Sequence, residues 1–287
     1  GKLHLFRHDQ GGQPLWSYTA TDPRAQFNSV AISRCGRTLV ATDGLTRVYL
    51  FECDSGVPAW VFDSADSTDP FVDVAISHDG CTVAAASQSR VYVFLRNSSA
   101  PLAVFTPSIT RGGWLTTVAV SGDGTRIAAG TWISDTTGSE LFVFDRTQQL
   151  WSYSTAYAPQ SSNAIQMPIA ISEDGQRIAA GGADKRLHFF DGGSQPAWSY
   201  APGAGDADSI WSVALSDDGS VLAASAGEDR LAYFADTKTG TPTWTFDGRY
   251  GPAHAVPLGI TDPYSGGTDA GGDRGVGAYP HTVSLSR

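Results

Sequence analysis

Lysine is almost missing from this sequence: Lys2, Lys185 and Lys238 are the only three in 287 residues. The arginines do not cluster either, and the formal net charge is −10. Nucleic-acid binders carry a basic patch or stripe, so this acidic chain is not expected to bind nucleic acid. A lysine-poor acidic surface fits a salty habitat, and fits a GC-rich genome equally well. Cysteine is scarce too. Cys35, Cys53 and Cys81 cannot all pair with one another and show no C-x-x-C spacing, which argues against a zinc site. No stretch of about 18 apolar residues exists, so no membrane-spanning helix is expected. No signal-peptide pattern is visible, and a chain that begins at Gly1 reads as a processed or trimmed product.

What is present is repetition. Five phrases align: "SVAISRCG" from Ser29, "DVAISHDG" from Asp73, "TVAVSGDG" from Thr117, "PIAISEDG" from Pro168 and "SVALSDDG" from Ser212. Their anchors Val30, Val74, Val118, Ile169 and Val213 are spaced by 44, 44, 51 and 44 residues, and a worn sixth copy, "PLGITDPY", follows from Pro257. Each unit splits into four short β-branched or aromatic segments, A to D, bounded by Gly, Asp and Ser. The Asp-Gly pairs at 79–80, 123–124, 174–175 and 218–219 separate A from B. Glycine there accepts positive φ without a Cβ clash, as a tight hairpin requires.

The chain ends complement each other. Residues 2–6, "KLHLF", are a C segment and 14–18, "PLWSY", a D segment, with no A or B before them. At the other end "VPLGIT", 256–261, is A-like, and either "GVGAY" (275–279) or "HTVSLS" (281–286) serves as B. Four-stranded units of this period, repeated radially, make a β-propeller. The expectation is an all-β, six-bladed β-propeller of four-stranded antiparallel blades, a single domain over 1–287. Its blades span roughly 29–62, 73–105, 117–153, 168–200 and 212–246, with 256–287 joined to 1–18. The N-terminal C and D strands then pair with the C-terminal A and B strands, leaving no open sheet edge.

The phrase V-A-I-S-x-D-G-x-x-I-A-A-G, then L-x-x-F, then P-x-W-S-Y, resembles WD-repeat-like and quinoprotein-like (PQQ-like) propellers of archaea and bacteria. "DTKTGTPTW", Asp236 to Trp244, is similar to part of the tryptophan-docking motif of pyrroloquinoline-quinone propellers. The resemblance implies that Trp16, Trp60, Trp151, Trp198 and Trp244 pack neighbouring blades together, with Ala103 in place of the sixth. No cofactor is expected, since the motif serves packing.

Strand order puts the A–B and C–D turns on one face and the long D–A connections on the other, around the central funnel. Phe27, Phe71, Asp73, Trp114, Asp208 and Trp211 lie on or just before the A strands and are the candidate binding residues. "DSADSTDP" lacks the glycine and terminal glutamate of a calcium loop, so no metal is expected. Trp132 and Tyr157 lie in longer insertions. "NSS" at 97–99 makes Asn97 a glycosylation acceptor on a turn. A disulfide among the three cysteines is one alternative and three free thiols the other. With the sequon, the first alternative points to an extracellular or cell-surface location.

No H-E-x-x-H, G-x-S-x-G or G-x-x-x-x-G-K occurs. His4 and His188 share one packing position in C strands, His78 reads as a turn residue, and His254 and Asp262 are weak candidates in the worn repeat. The chain is therefore expected to be non-catalytic: a scaffold that binds a protein partner or copies of itself. The alternative is a propeller enzyme, quinone-dependent or a lyase, with its site in the funnel.

Overall fold

In the computed structural model the described residues are 1–9, 11–110, 113–131, 138–156, 166–202, 210–226 and 230–247. They form a two-stranded sheet and five four-stranded antiparallel sheets. The pair is β1 (Lys2–Phe6) and β2 (Pro14–Thr19). The first blade holds β3–β6 (Ser29–Ile32, Thr38–Thr42, Arg47–Glu52, Pro58–Asp63), and the second β7–β10 (Phe71–Ile76, Thr82–Ser87, Val91–Leu95, Ala103–Phe105). The third holds β11–β14 (Leu115–Val120, Ile127–Thr131, Glu140–Phe144, Gln149–Ser154) and the fourth β15–β18 (Ile169–Ile171, Arg177–Gly181, Leu187–Asp191, Trp198–Tyr200). The fifth holds β19–β22 (Ile210–Leu215, Leu222–Ala226, Arg230–Phe234, Trp244–Asp247). Within each blade the chain order is the spatial order, so every connection is a hairpin.

Three blades begin two residues earlier than the repeat suggests. β7, β11 and β19 each carry a register shift, between Phe71 and Asp73, Leu115 and Thr117, and Ile210 and Ser212. A bulge places two residues opposite one, which prolongs pairing past the point where alternation fails.

Burial explains the segment compositions. β4, β8, β12 and β20 are buried throughout, whereas the outermost β2 and β6 alternate half-buried with exposed. A strand covered on both faces reads as an unbroken apolar run; one with a wet face alternates. The second strands are rich in alanine, and the third strands carry Phe51, Phe94, Phe144, Phe190 and Phe234. Small side chains lie nearer the hub, where the sheets converge, and large ones fill the widening wedge outside.

Each core cluster joins two consecutive sheets. β1 and β2 share one with the first blade, and the four that follow link first to second, second to third, third to fourth and fourth to fifth. Tryptophans on outermost strands pack across these junctions: Trp16 on Phe51, Trp60 on Phe94, Trp151 on Phe190 and Trp198 on Phe234, at centroid distances of 5.3, 5.4, 5.3 and 5.1 Å. At the second-to-third junction Ala103 replaces the tryptophan. There Phe105 lies nearly parallel to Phe144, 4.8 Å away, while its counterpart Phe62 meets Phe94 edge-on. The phenyl ring turns flat where no indole competes for the space.

The edge of the first blade that faces β1 is different. Val30 is 55% exposed, against 4% for Val74, 5% for Val118 and 9% for Val213 at the same repeat position. The segments expected to complete the sixth blade, 256–261 and 275–286, lie outside the described residues.

Candidate functional site

The A–B hairpins share one construction, Ser-x-Asp-Gly. In the second blade the Ser77 hydroxyl donates to Asp79 Oδ1 at 2.6 Å, and that oxygen also accepts the Cys81 N–H at 2.8 Å. Asp123, Asp174 and Asp218 repeat both bonds. The glycines that follow have φ of 75, 69, 68 and 67°. These aspartates are turn builders. Ser216, then Ser220, hold the Asp218 carboxyl down at about 2. In the first blade Cys35 takes the aspartate's place, with its Sγ 3.4 Å from Ser33 Oγ.

The variable residue of this motif is Arg34, His78, Gly122, Glu173 or Asp217 in successive blades. The hairpins converge there. Arg34 N–H donates to His78 O, His78 N–H to Gly122 O, and Glu173 N–H to Asp217 O, at 3.1, 3.0 and 2.7 Å; between the third and fourth blades Asp123 N–H donates to Glu173 O at 2.9 Å. The side chains meet inside this belt. Arg34 Nη1 is ion-paired with Asp217 Oδ2 and lies 3.6 Å from Glu173 Oε2. His78 Nδ1 is 3.2 Å from the same Glu173 oxygen. Gly122 leaves the room: a Cβ there would stand 2.5 Å from His78 Nδ1. The sequence analysis did not single out this cluster, although the variable letter after the repeated serine in the aligned phrases was its signal. Asp262 holds the column in the worn sixth repeat and lies outside the described residues.

Of the candidate binding residues, Trp114 stands exposed on the opposite face. Trp114 is 40% exposed and borders a cavity of about 470 Å³ with Asp66, Asp69, Arg90 and Ile109. Arg90 bridges Asp66 and Asp69, 3.1 Å from each. A second cavity, about 400 Å³, is lined by Asp22, Arg24, Arg47, Asp63 and Pro70. Phe71, in contrast, is 1% exposed, 5.2 Å from Tyr92; the bulge in β7 turns it into the core. Phe27 packs edge-on to Tyr49 at 5.3 Å. Trp211 is half-buried in β19 beside Ala183. Asp73 ties three blades: it accepts the Ser29 hydroxyl at 2.7 Å and the Val74 and Val118 N–H groups at 2.9 Å each, and burial pushes its carboxyl up. Asp208, Trp132, Tyr157 and His254 lie outside the described residues.

The segment 236–244 receives a neighbour's indole. Trp198 Nε1 donates to Thr237 O at 2.6 Å, and Gly240, at φ 64°, has no Cβ to strike the ring. Trp16 and Trp60 donate likewise to Cys53 O and Arg96 O. Trp244 stacks on Tyr233 of its own blade. His188 is buried between Ser199 Oγ at 2.8 Å and Asp184 Oδ1 at 3.0 Å. Cys35, Cys53 and Cys81 are free thiols, and Asn97 is exposed. Among the described residues no helix is long and apolar enough to cross a membrane.

Residues 201–236 match the family model "WD40: WD domain, G-beta repeat". No curated protein matches the sequence. Among solved structures, a chain of "Crystal Structure of Mitotic Checkpoint Complex" is similar at 17% identity and a TM-score of 0.60, over 78% of this chain and 68% of that one. In all, 1507 solved chains match, so the fold is widespread and names no activity by itself. One stretch of the fifth blade is thus similar to a WD40 repeat, and the four-stranded antiparallel sheets are those of a β-propeller fold.

Proposed function

We propose that this propeller is a non-catalytic interaction scaffold whose protein partner docks on the face of the long D–A connections. The carrying observation is Trp114, exposed beside the Arg90, Asp66 and Asp69 ion pairs at the mouth of a 470 Å³ cavity. An aromatic anchor flanked by arginine and carboxylates is the composition that carries binding energy at protein interfaces. WD40 domains usually serve as non-catalytic interaction platforms, which agrees with this reading. The test is cross-linking of the native protein to its partner, then titration of that partner against Trp114→Ala. The variant is expected to bind at least about tenfold more weakly at an unchanged melting temperature. Equal affinity overturns the reading.

The reading includes a closed ring. The worn repeat near residues 256–261 supplies the innermost strand, and a strand from 275–286 lies between it and β1 to complete the sixth blade. Support comes from the exposed Val30 and from β1 and β2 forming a sheet of only two strands among the described residues. Removal of 256–287 is expected to lower the melting temperature and increase binding of an apolar dye. A truncated chain that melts like the full one overturns closure. Removal of 275–287 alone also tests self-assembly: if this tail reaches a second copy, the truncated chain sediments as a monomer.

Export to the cell exterior is part of the same proposal, supported by the exposed Asn97 sequon. Intact mass of the native protein tests it.

A further inference from the structure

The proposed docking face leaves the opposite end of the hub without a role. Three metal-capable atoms, one ring nitrogen of His78 and one carboxylate oxygen each from Glu173 and Asp217, lie within 4.8 Å of one another there. They come from the second, fourth and fifth blades, so only the radial arrangement brings them together. An imidazole nitrogen with two carboxylates is a donor set for borderline first-row divalent ions, which bind at about 2.0–2.2 Å. Such bonds hold neighbouring donors roughly 3–4 Å apart, and His78 Nδ1 and Glu173 Oε2 already stand at 3.2 Å. None of the three side chains is fully buried, so water can complete the coordination.

A cation already stands among these atoms, and the chain supplies it. Arg34 Nη1 is paired with Asp217, 3.6 Å from Glu173 Oε2 and 3.5 Å from His78 Nδ1. Its side chain is about as exposed as that of Glu173, which gives the guanidinium a route into solvent. One guanidinium offsets only one of the two carboxylates. The blank position at Gly122 completes the design, because any side chain there would press on the His78 ring.

We propose that the hub cluster is a binding site for a first-row divalent cation of the zinc class, held by His78, Glu173 and Asp217, with the Arg34 guanidinium as its built-in competitor. Bound metal ties three blades together across the axis and stabilises the ring by mass action. Arg34 performs the same cross-bridging in its absence.

The three free thiols also attract zinc, so the probe is Co²⁺, whose thiolate complexes show an intense near-ultraviolet charge-transfer band. Co²⁺ is titrated calorimetrically into the full chain and into Arg34→Met. The variant is expected to bind one equivalent at least about tenfold more tightly than the unaltered chain, and to lose that gain when His78→Gln or Asp217→Asn is added. No thiolate band should accompany it. Affinity unchanged by Arg34→Met, binding that survives both ligand substitutions, or a thiolate band at the first equivalent overturns the proposal. If Arg34→Met does not fold, Gly122→Ala in the otherwise unaltered chain replaces it. Displacing His78 should weaken Co²⁺ binding about tenfold, and unchanged binding overturns the site.

Discussion

Arg34 and Asp217 are 183 positions apart in the sequence, yet their side chains are joined across the hub, first blade to fifth. Both touch solvent, so the pair contributes little energy and much geometry. A double-mutant cycle with Arg34→Met and Asp217→Asn is expected to give a coupling of about 0.5–1 kcal/mol at low salt. That coupling should shrink in 1 M salt, where the Debye length is about 3 Å. A coupling that ignores salt is inconsistent with an ion pair.

The indoles at the blade junctions contribute more. Trp60 packs against Phe94 and donates to Arg96 O at 2.8 Å. Trp60→Ala removes both and should cost about 3 kcal/mol in urea unfolding. Phe105→Leu should cost more than Phe62→Leu, because no tryptophan shares the junction with Phe105. Equal losses at the two positions contradict this account.

Asp73 serves as a bolt between three sheets. Asp73→Ala leaves the Val118 N–H without its acceptor and is expected to cost about 2 kcal/mol. Asp73→Asn does not restore the loss, since its amide can turn a second donor toward Val118. Full stability in the Asn variant goes against this reading.

Acid should loosen the hairpins. Hydrogen bonds from Ser216, then from Ser220, hold Asp218 at about 2, below its unfolded value near 3.9. A depressed carboxyl stabilises the fold above the unfolded value, and the contribution disappears as pH falls toward 2. Asp79, Asp123 and Asp174 are shifted the same way, their hydrogen bonds outweighing burial. Asp73, raised by burial, works in the opposite sense. Melting of the unaltered chain and of Asp218→Ala at pH 7, 4 and 2.5 should show their difference closing with acid. A constant difference rules the mechanism out.

The thiols should alkylate in a set order. Ser33 and the Arg37 N–H lower Cys35, which is exposed. The hydrogen bond to Asp79, then burial, raises Cys81, and burial raises the half-covered Cys53. Iodoacetamide followed by peptide mapping is expected to label Cys35 first and Cys53 last. Early modification of Cys53 means that its cover opens.

The hairpins, the alternation of segments and the glycines at positive φ were legible because they depend on neighbours in the chain. A period of two and a turn that needs φ near 70° leave their mark within eight residues, and 44-residue spacing repeats that mark. The packing role of the tryptophans was legible only through resemblance. Phe71 was misleading: its position before the alternating phrase suggests a loop, but the bulge in β7 carries it into the core.

The hub cluster was open to view as the variable letter after the repeated serine, without any sign that the letters meet. Sequence by itself determined which residues turn and which strands are covered, because hydrogen-bond geometry and hydrophobic period act over a few residues. Only the tertiary structure decided that an arginine, a histidine and two carboxylates from four blades share one point. That meeting depends on how sheets stacked through their aromatic edges converge at their small-residue ends, which is a property of packing at a distance.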